Sequence, residues 1–509
     1  MISTFNAAIS AHPLAWGLFG VYLVVTFWLA YLGHRRTKSF EDFAVGGRSM
    51  GPGLAGMTLG ACLASTATFV INPGFVYAWG LPALLAFSLP LFAGVFTGLA
   101  VLGRGFRKHG KQATTLPVWI GQRYGSQGLR AWFASLCLLH VFYVVLIVVG
   151  AALVMTNTMG LPYSTSVGLV VCVVFSYVCF GGTYAHAYTN TAQGAIMLVV
   201  AGLIFVYALS AIGSPSEALT QLAAQDPQLA GAVHTGSPFY RNLFEVLVCP
   251  FVIGFALVAQ PHLLLKTLYL KRTRDLMTFG VTGFACFVVF SLVLFAGLAA
   301  RLEFGGGLAQ DVAMSRWLAG AFPAGLGAVV SVAILAAAMS TLDGLLVAVS
   351  AIVGGDLIAH PSVMGRLGVP AERHNATALW AGRGTILVLG VIAWAVAIDP
   401  PRLVGIFGTI GTYGLLVASL PAVLFGVVLR RPPSARGIVF GSLTGLVVHL
   451  GLYYGDWTIN TGLTATLALF AALPVTLIVG WTPAPRAAPV APEPSDTPTP
   501  SQRLIAVGS

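Results

Sequence analysis

The sequence predicts an all-α polytopic membrane protein with thirteen transmembrane helices. Three observations carry that prediction. The 509 residues are 57% apolar and only 8% charged, with a mean hydropathy of +0.88; soluble domains are about 25% charged. Apolar runs near the roughly 20 residues needed to cross a bilayer recur from end to end. The 26 Lys and Arg, which exceed the 15 acids to give a formal charge of +11, fall in alternate loops. One water-soluble domain is excluded, since so thin a polar skin cannot cover so large an apolar interior. Disorder over most of the chain is excluded as well.

The first run is 14–33, without a basic stretch ahead of it, and reads as a retained anchor rather than a cleaved signal. The next are 52–79, 82–102, 132–158, 164–181, 189–213 and 243–265. The last six are 277–300, 323–355, 377–398, 403–428, 437–455 and 459–480. Helix is required because lipid offers backbone groups no partner.

Charge fixes the expected orientation. With the N-terminus outside, all but four of the 26 cations (Arg241, Arg301, Arg316 and Arg402) fall on cytoplasmic loops, their flanks or the tail. That is the positive-inside pattern, and it implies a plasma (inner) membrane protein with a cytoplasmic C-terminus. Residues 1–481 form a single transmembrane domain. Residues 112–128 look like a short amphipathic helix on the cytoplasmic side, and 214–241 like a polar external loop. Residues 482–509, with seven of the 28 prolines, read as a disordered cytoplasmic tail. In this setting the basic excess does not imply nucleic acid; the expected partners are the lipid bilayer and a small solute. All six cysteines lie inside spans without metal-ligand spacing and are expected to pack.

Polar groups inside the spans are the functional candidates. Only Glu245 and Asp343 among the acids fall within them, the other thirteen lying in loops, at span ends or in the tail. Glu245 sits near a span end beside Arg241 and can pair there. Asp343 is deep, as an ion ligand or proton carrier. Just before it, Ala337, Ser340 and Thr341 stand at i, i+3 and i+4 on one helix face. Such hydroxyls ordinarily bond their own helix's carbonyls, but they also suit a hard cation. Span two contains Ala61-Cys62-Leu63-Ala64-Ser65-Thr66-Ala67-Thr68 and then Asn72-Pro73-Gly74. Small residues, hydroxyls and a Pro-Gly pair weaken a helix there and free carbonyls. Span seven is interrupted too, by Cys249-Pro250 and Gln260-Pro261-His262. Broken helices opening each of two five-helix halves point to an inverted-repeat transporter.

These residues resemble the sodium:solute symporter family. The likeness rests on Gly46-Gly47-Arg48-Ser49, on Pro73-Gly74 with Tyr77 and Gly80, and on Gly181-Gly182 before Gln193. It rests also on Gln260-Pro261-His262 and above all on Ala337-x-x-Ser340-Thr341. The resemblance implies a leucine-transporter-like fold. Five plus five inverted helices (about 51–213 and 243–428) would form the core, with one helix before and two after. It implies a coupling Na⁺ and no organic cofactor, with ligands from the carbonyls of Ala61, Ala64 and Ala337 and the hydroxyls of Ser340 and Thr341. It implies a solute site lined by Thr66, Thr68, Asn72, Tyr143 and Phe255.

The chain departs from the family in two places. Where many members carry Asp in a Thr-Asp-x-x-Gln pattern, it has Thr189-Asn190-Thr191-Ala192-Gln193, which puts in doubt a second sodium site of that kind. Asp343 supplies an acid instead on the eighth core helix, as in some members. Where proline carriers place Trp and Tyr before the Gln-Pro-His, it has Ile253 and Leu257, so proline is not expected. A short monocarboxylate or similar organic anion is the expected solute, held by hydroxyls and by amide N–H groups at a half-helix end. A proton-coupled carrier using Asp343 is the alternative. An enzyme is not expected, and a sensor or channel is less so than a carrier. His140 and His449 fall inside spans, and a lone intramembrane His ordinarily packs, though His140 stands one turn before Tyr143.

Overall fold

The computed structural model describes residues 2–110, 112–400 and 403–481. No β-strand occurs among them, and one isolated bridge joins Met50 to Leu270. Ten helices are long and apolar enough to cross a membrane, or eleven if the bent pair Phe244–Leu257 and Pro261–Tyr269 counts as one. Two shorter apolar helices, Pro52–Leu63 and Tyr163–Cys179, complete the apolar set. The expected tail, Lys111 and Arg402 lie outside the described residues.

At the centre stands the Ala324–Ile352 helix. Every residue from Val330 to Ile352 is buried. A helix apolar all round has no lipid-facing stripe and must sit inside a bundle. Around it pack Pro13–Arg36, His140–Met159, Tyr163–Ile212 and Ala371–Ala397. The outer helices turn apolar side chains outward, among them Val24, Trp28 and Tyr31 on the first and Leu387, Val388 and Val391 on Ala371–Ala397.

Breaks divide the long helices. Pro52–Leu63 stops at Ala64, whose backbone is extended (φ −94°, ψ 118°). A π-helical turn, Ala67–Ile71, then leads into Asn72–Phe87. From Ala67 the chain is one apolar run to His109, bent at Gly80, where the sequence suggests separate spans 52–79 and 82–102. Tyr163–Ile212 bends at Gly182, which has φ 62° and ψ −163°; a Cβ there would lie 2.7 Å from the Phe43 ring. Spans 164–181 and 189–213 are therefore two helices that meet at this kink. The pair at Phe244–Leu257 and Pro261–Tyr269 bends by 62°. Its first half lies backbone to backbone on Leu89–Gly98, because Gly94 faces Phe251 and Gly254 faces Leu91 with no Cβ between them.

Three local expectations need correction. The 214–241 stretch contains a helix, Pro215–Gln225, whose Ala218 and Leu222 are buried. The amphipathic element is Leu116–Tyr124, and its Trp119 is fully buried against Phe106. Asp356, assigned to a span end, is a third acid inside the protein. It has no exposed side chain and pairs with Arg130 Nη2 at 2.7 Å, while the Thr115 hydroxyl donates to it at 2.5 Å.

Candidate cation and solute site

The stop at Ala64 removes helical partners from the preceding carbonyls. Two of these turn to the central helix. Ser340 Oγ lies 3.1 Å from the Ala61 carbonyl oxygen and 2.8 Å from that of Ala337. Thr341 Oγ1 lies 3.1 Å from Ala64 O and 3.4 Å from Ala337 O. All five residues are buried. Five oxygens, three of them carbonyls, thus converge where a broken helix meets an unbroken one. This is a hard donor set with neither sulfur nor nitrogen, of the kind that suits a hard cation.

On the side of this cluster nearer the Tyr163–Ile212 helix sits Asp343, 1% exposed. The Tyr177 hydroxyl donates to its Oδ1, and Thr189 Oγ1 lies 3.1 Å from Oδ2. Asn190 donates instead to Thr58 O (3.4 Å) and Cys62 Sγ (3.2 Å), and its own Oδ1 is buried without a partner. Lys266 is fully buried, its Nζ 2.7 Å from His186 Nε2.

Beside the break opens a cavity of about 230 Å³. Of the residues named for the solute site, Thr68, Asn72 and Tyr143 line this cavity. Thr66 does not; it is fully buried and its hydroxyl reaches the Ile147 carbonyl at 3.4 Å. Phe255 does not line it either, because that face of its helix packs on Gly94 and Gly98. Ile253 and Leu257 line the cavity in its place. Ser65, Thr409, Thr412, Tyr413 and His262 add polar atoms. Ser65 also caps the new turn, accepting from Ala67 N–H at 3.1 Å, so that amide is taken. No Lys or Arg is among the described residues lining the cavity. Glu245 reaches the wall neutralised by Arg241, with Nη2 to Oε1 2.6 Å.

Against known families, the model for the sodium:solute symporter family matches residues 43–445. The chain belongs to the sodium:solute symporter family. It is 28% identical over 443 residues to the sodium/pantothenate symporter of Escherichia coli K12, covering 84% of this chain and 88% of that protein. To the sodium/proline symporter of the same organism it is 25% identical over 470 residues, covering 86% and 88%. Among solved structures, a Na⁺-coupled sialic acid symporter in a substrate-bound outward-open state matches with a TM-score of 0.76 at 18% identity. The match covers 93% of this chain and 99% of that one. A nucleobase-cation-symport-1 family transporter matches with a TM-score of 0.56 at 14% identity, covering 87% and 96%. These two likenesses carry the fold, an all-α leucine-transporter-like membrane protein. As a family member the chain is a transporter rather than an enzyme, sits in the plasma membrane and uses Na⁺ as coupling ion.

Some of this symporter's polar interior escapes a linear reading. Lys266 counts as a loop cation in the charge pattern, yet it stands four residues after His262 on the same face of the broken helix. That spacing is the signal that could have found it. Thr409, Thr412 and Tyr413 come from the Val404–Val428 helix, which carries no break to mark it. His449, by contrast, packs as expected, between Thr464 Oγ1 at 2.8 Å and Ile410 O at 3.1 Å.

Proposed function

We propose that this symporter imports a compact organic solute bearing a carboxylate, a short monocarboxylate or a similar organic anion, by alternating access. The observation that carries the reading is the convergence of Ala61, Ala64, Ala337, Ser340 and Thr341 oxygens across the helix break. Na⁺ at that point would turn the two hydroxyl hydrogens away and bind the broken helix to the central one. Tilting of the central helix would part the ligands and release the ion.

The cavity size and its hydroxyls support a compact solute. Pantothenate and proline, named for the relatives, both carry a carboxylate. Ile253 and Leu257 in the wall argue against proline itself. The acid would be held by Ser65, Thr68 and Tyr143, since no Lys or Arg is among the described residues lining the cavity. The same reading takes thirteen spans, repeats at about 51–213 and 243–428, and an external N-terminus. The charge asymmetry of the loops supports it.

Thermal-shift screening of the purified protein against small organic acids, amino acids and sugars, with and without Na⁺, tests the proposal. Stabilisation by an organic acid that requires Na⁺ is the expected result. A second reading, proton coupling through Asp343, is favoured by that residue's burial between two hydroxyl donors. Uptake into proteoliposomes under imposed Na⁺ or H⁺ gradients separates the two.

A further inference from the structure

We infer that His262 offers the solute cavity an unprotonated Nε2, held as a fixed hydrogen-bond acceptor by His140, so that the preferred solute carries a hydroxyl or amide N–H donor. The inference rests on the reading of the cavity as the solute site.

It follows from counting protons along a chain of three groups. His140 Nδ1 lies 3.0 Å from the Cys137 carbonyl oxygen. A carbonyl oxygen only accepts, so that nitrogen carries the hydrogen. A neutral imidazole has one N–H, which leaves His140 Nε2 as a lone pair. That lone pair meets His262 Nδ1 at 3.3 Å, with the two rings edge to face at 81° and 5.3 Å between centroids. His262 must therefore donate from Nδ1, which spends its own single hydrogen. Its Nε2 is the remaining lone pair, and the only side-chain hydrogen bond of His262 among the described residues is the one at Nδ1, while the ring lines the cavity. His140 is 1% exposed and His262 6%, so bulk water does not substitute for either contact.

A fixed lone pair repels a carboxylate or carbonyl oxygen and rewards a donor. The solute would thus turn its acid group away from His262 and its hydroxyl or amide N–H toward it. A solute lacking that donor leaves a desolvated acceptor unmatched, which is the stronger basis of selection.

Two measurements on the full-length protein in lipid nanodiscs test this. The first is the ¹⁵N spectrum of histidine-labelled protein, with His262 assigned from the His262→Asn variant. Nε2 of His262 is expected without a proton, and His140→Phe is expected to release it into a mixture of tautomers. The second is Na⁺-dependent thermal stabilisation by matched pairs: lactate and propionate, 3-hydroxybutyrate and butyrate, methyl lactate and methyl propionate. The hydroxylated member is expected to bind about tenfold tighter, the worth of one hydrogen bond. His262→Asn keeps an N–H toward His140 but removes the outer acceptor, and the preference should vanish. His262→Gln restores an oxygen near the Nε2 position, and the preference should return.

A protonated Nε2 overturns the inference. So do equal responses within every pair, including no response at all, and a preference that survives in His262→Asn. If the neutral ester pair binds as tightly as the acids while the hydroxyl preference holds, the carboxylate reading fails and this inference stands. The effect of Na⁺ alone on the same melts, compared with Ser340→Ala, reports separately on the ion site.

Discussion

Ser340 Oγ meets the carbonyl oxygen of Ala61 at 3.1 Å across 279 positions of sequence. The contact exists because one helix stops and the other does not. The stop at Ala64 frees the carbonyls, and the small side chains around Ser340 let the broken helix come close.

Ser340→Ala should raise the Na⁺ concentration needed for half-maximal uptake by tenfold or more, since one of five oxygens is lost from a desolvated site. The Ser340→Ala/Thr341→Ala double variant should lose Na⁺-dependent uptake. Sodium titrations of uptake into proteoliposomes check both. Full Na⁺-driven transport in the double variant would remove the proposed ion site.

Asp343→Asn replaces a carboxylate oxygen with an NH₂ group facing hydroxyl partners, Tyr177 and Thr189. The hydroxyl that meets the NH₂ must turn from donor to acceptor, Thr189 toward the Ala185 carbonyl, and the charge-assisted bond is lost, at about 1–2 kcal/mol. Melting temperature should fall by several degrees, and the ion dependence and pH profile of uptake should both shift. If neither changed, Asp343 would have no part in coupling.

Arg130→Met leaves Asp356 buried without its cation. Breaking a buried pair from one side costs about 3–5 kcal/mol. Asp356→Asn should cost less, because its remaining oxygen still accepts from Arg130 while its NH₂ can donate to the Thr115 hydroxyl on the other side. Thermal melts in detergent would rank the two variants, and the reverse order would count against a structural pair.

Gly254→Ala and Gly94→Ala each drive a Cβ into the backbone of the facing helix. Low yield of folded protein is expected for both, read by size-exclusion profile. Gly202→Ala, whose Cβ would meet nothing within 4 Å, should be neutral.

How much was legible follows from where the signals lie. The break in span two is written locally, in Gly60 to Thr68 followed by Pro73, and the Ala337, Ser340, Thr341 face is a periodicity of one helix. Both can be read from neighbouring letters. The cavity wall cannot. Phe255 is apolar like Ile253 and Leu257, and only the close approach of Gly94 and Gly98 decides which of them turns inward. Lys266 and Asp356 look like ordinary span-end charges until His186 and Arg130, from distant segments, are seen against them.

The glycine contact between Leu89–Gly98 and Cys249–Leu257 has a consequence for motion. With Gly94 and Gly254 each under the other helix's backbone, neither helix can slip lengthwise without driving a carbonyl into a neighbour. The two must travel as one lever, and the bend at Gln260-Pro261, just beyond the contact, is where that lever can pivot.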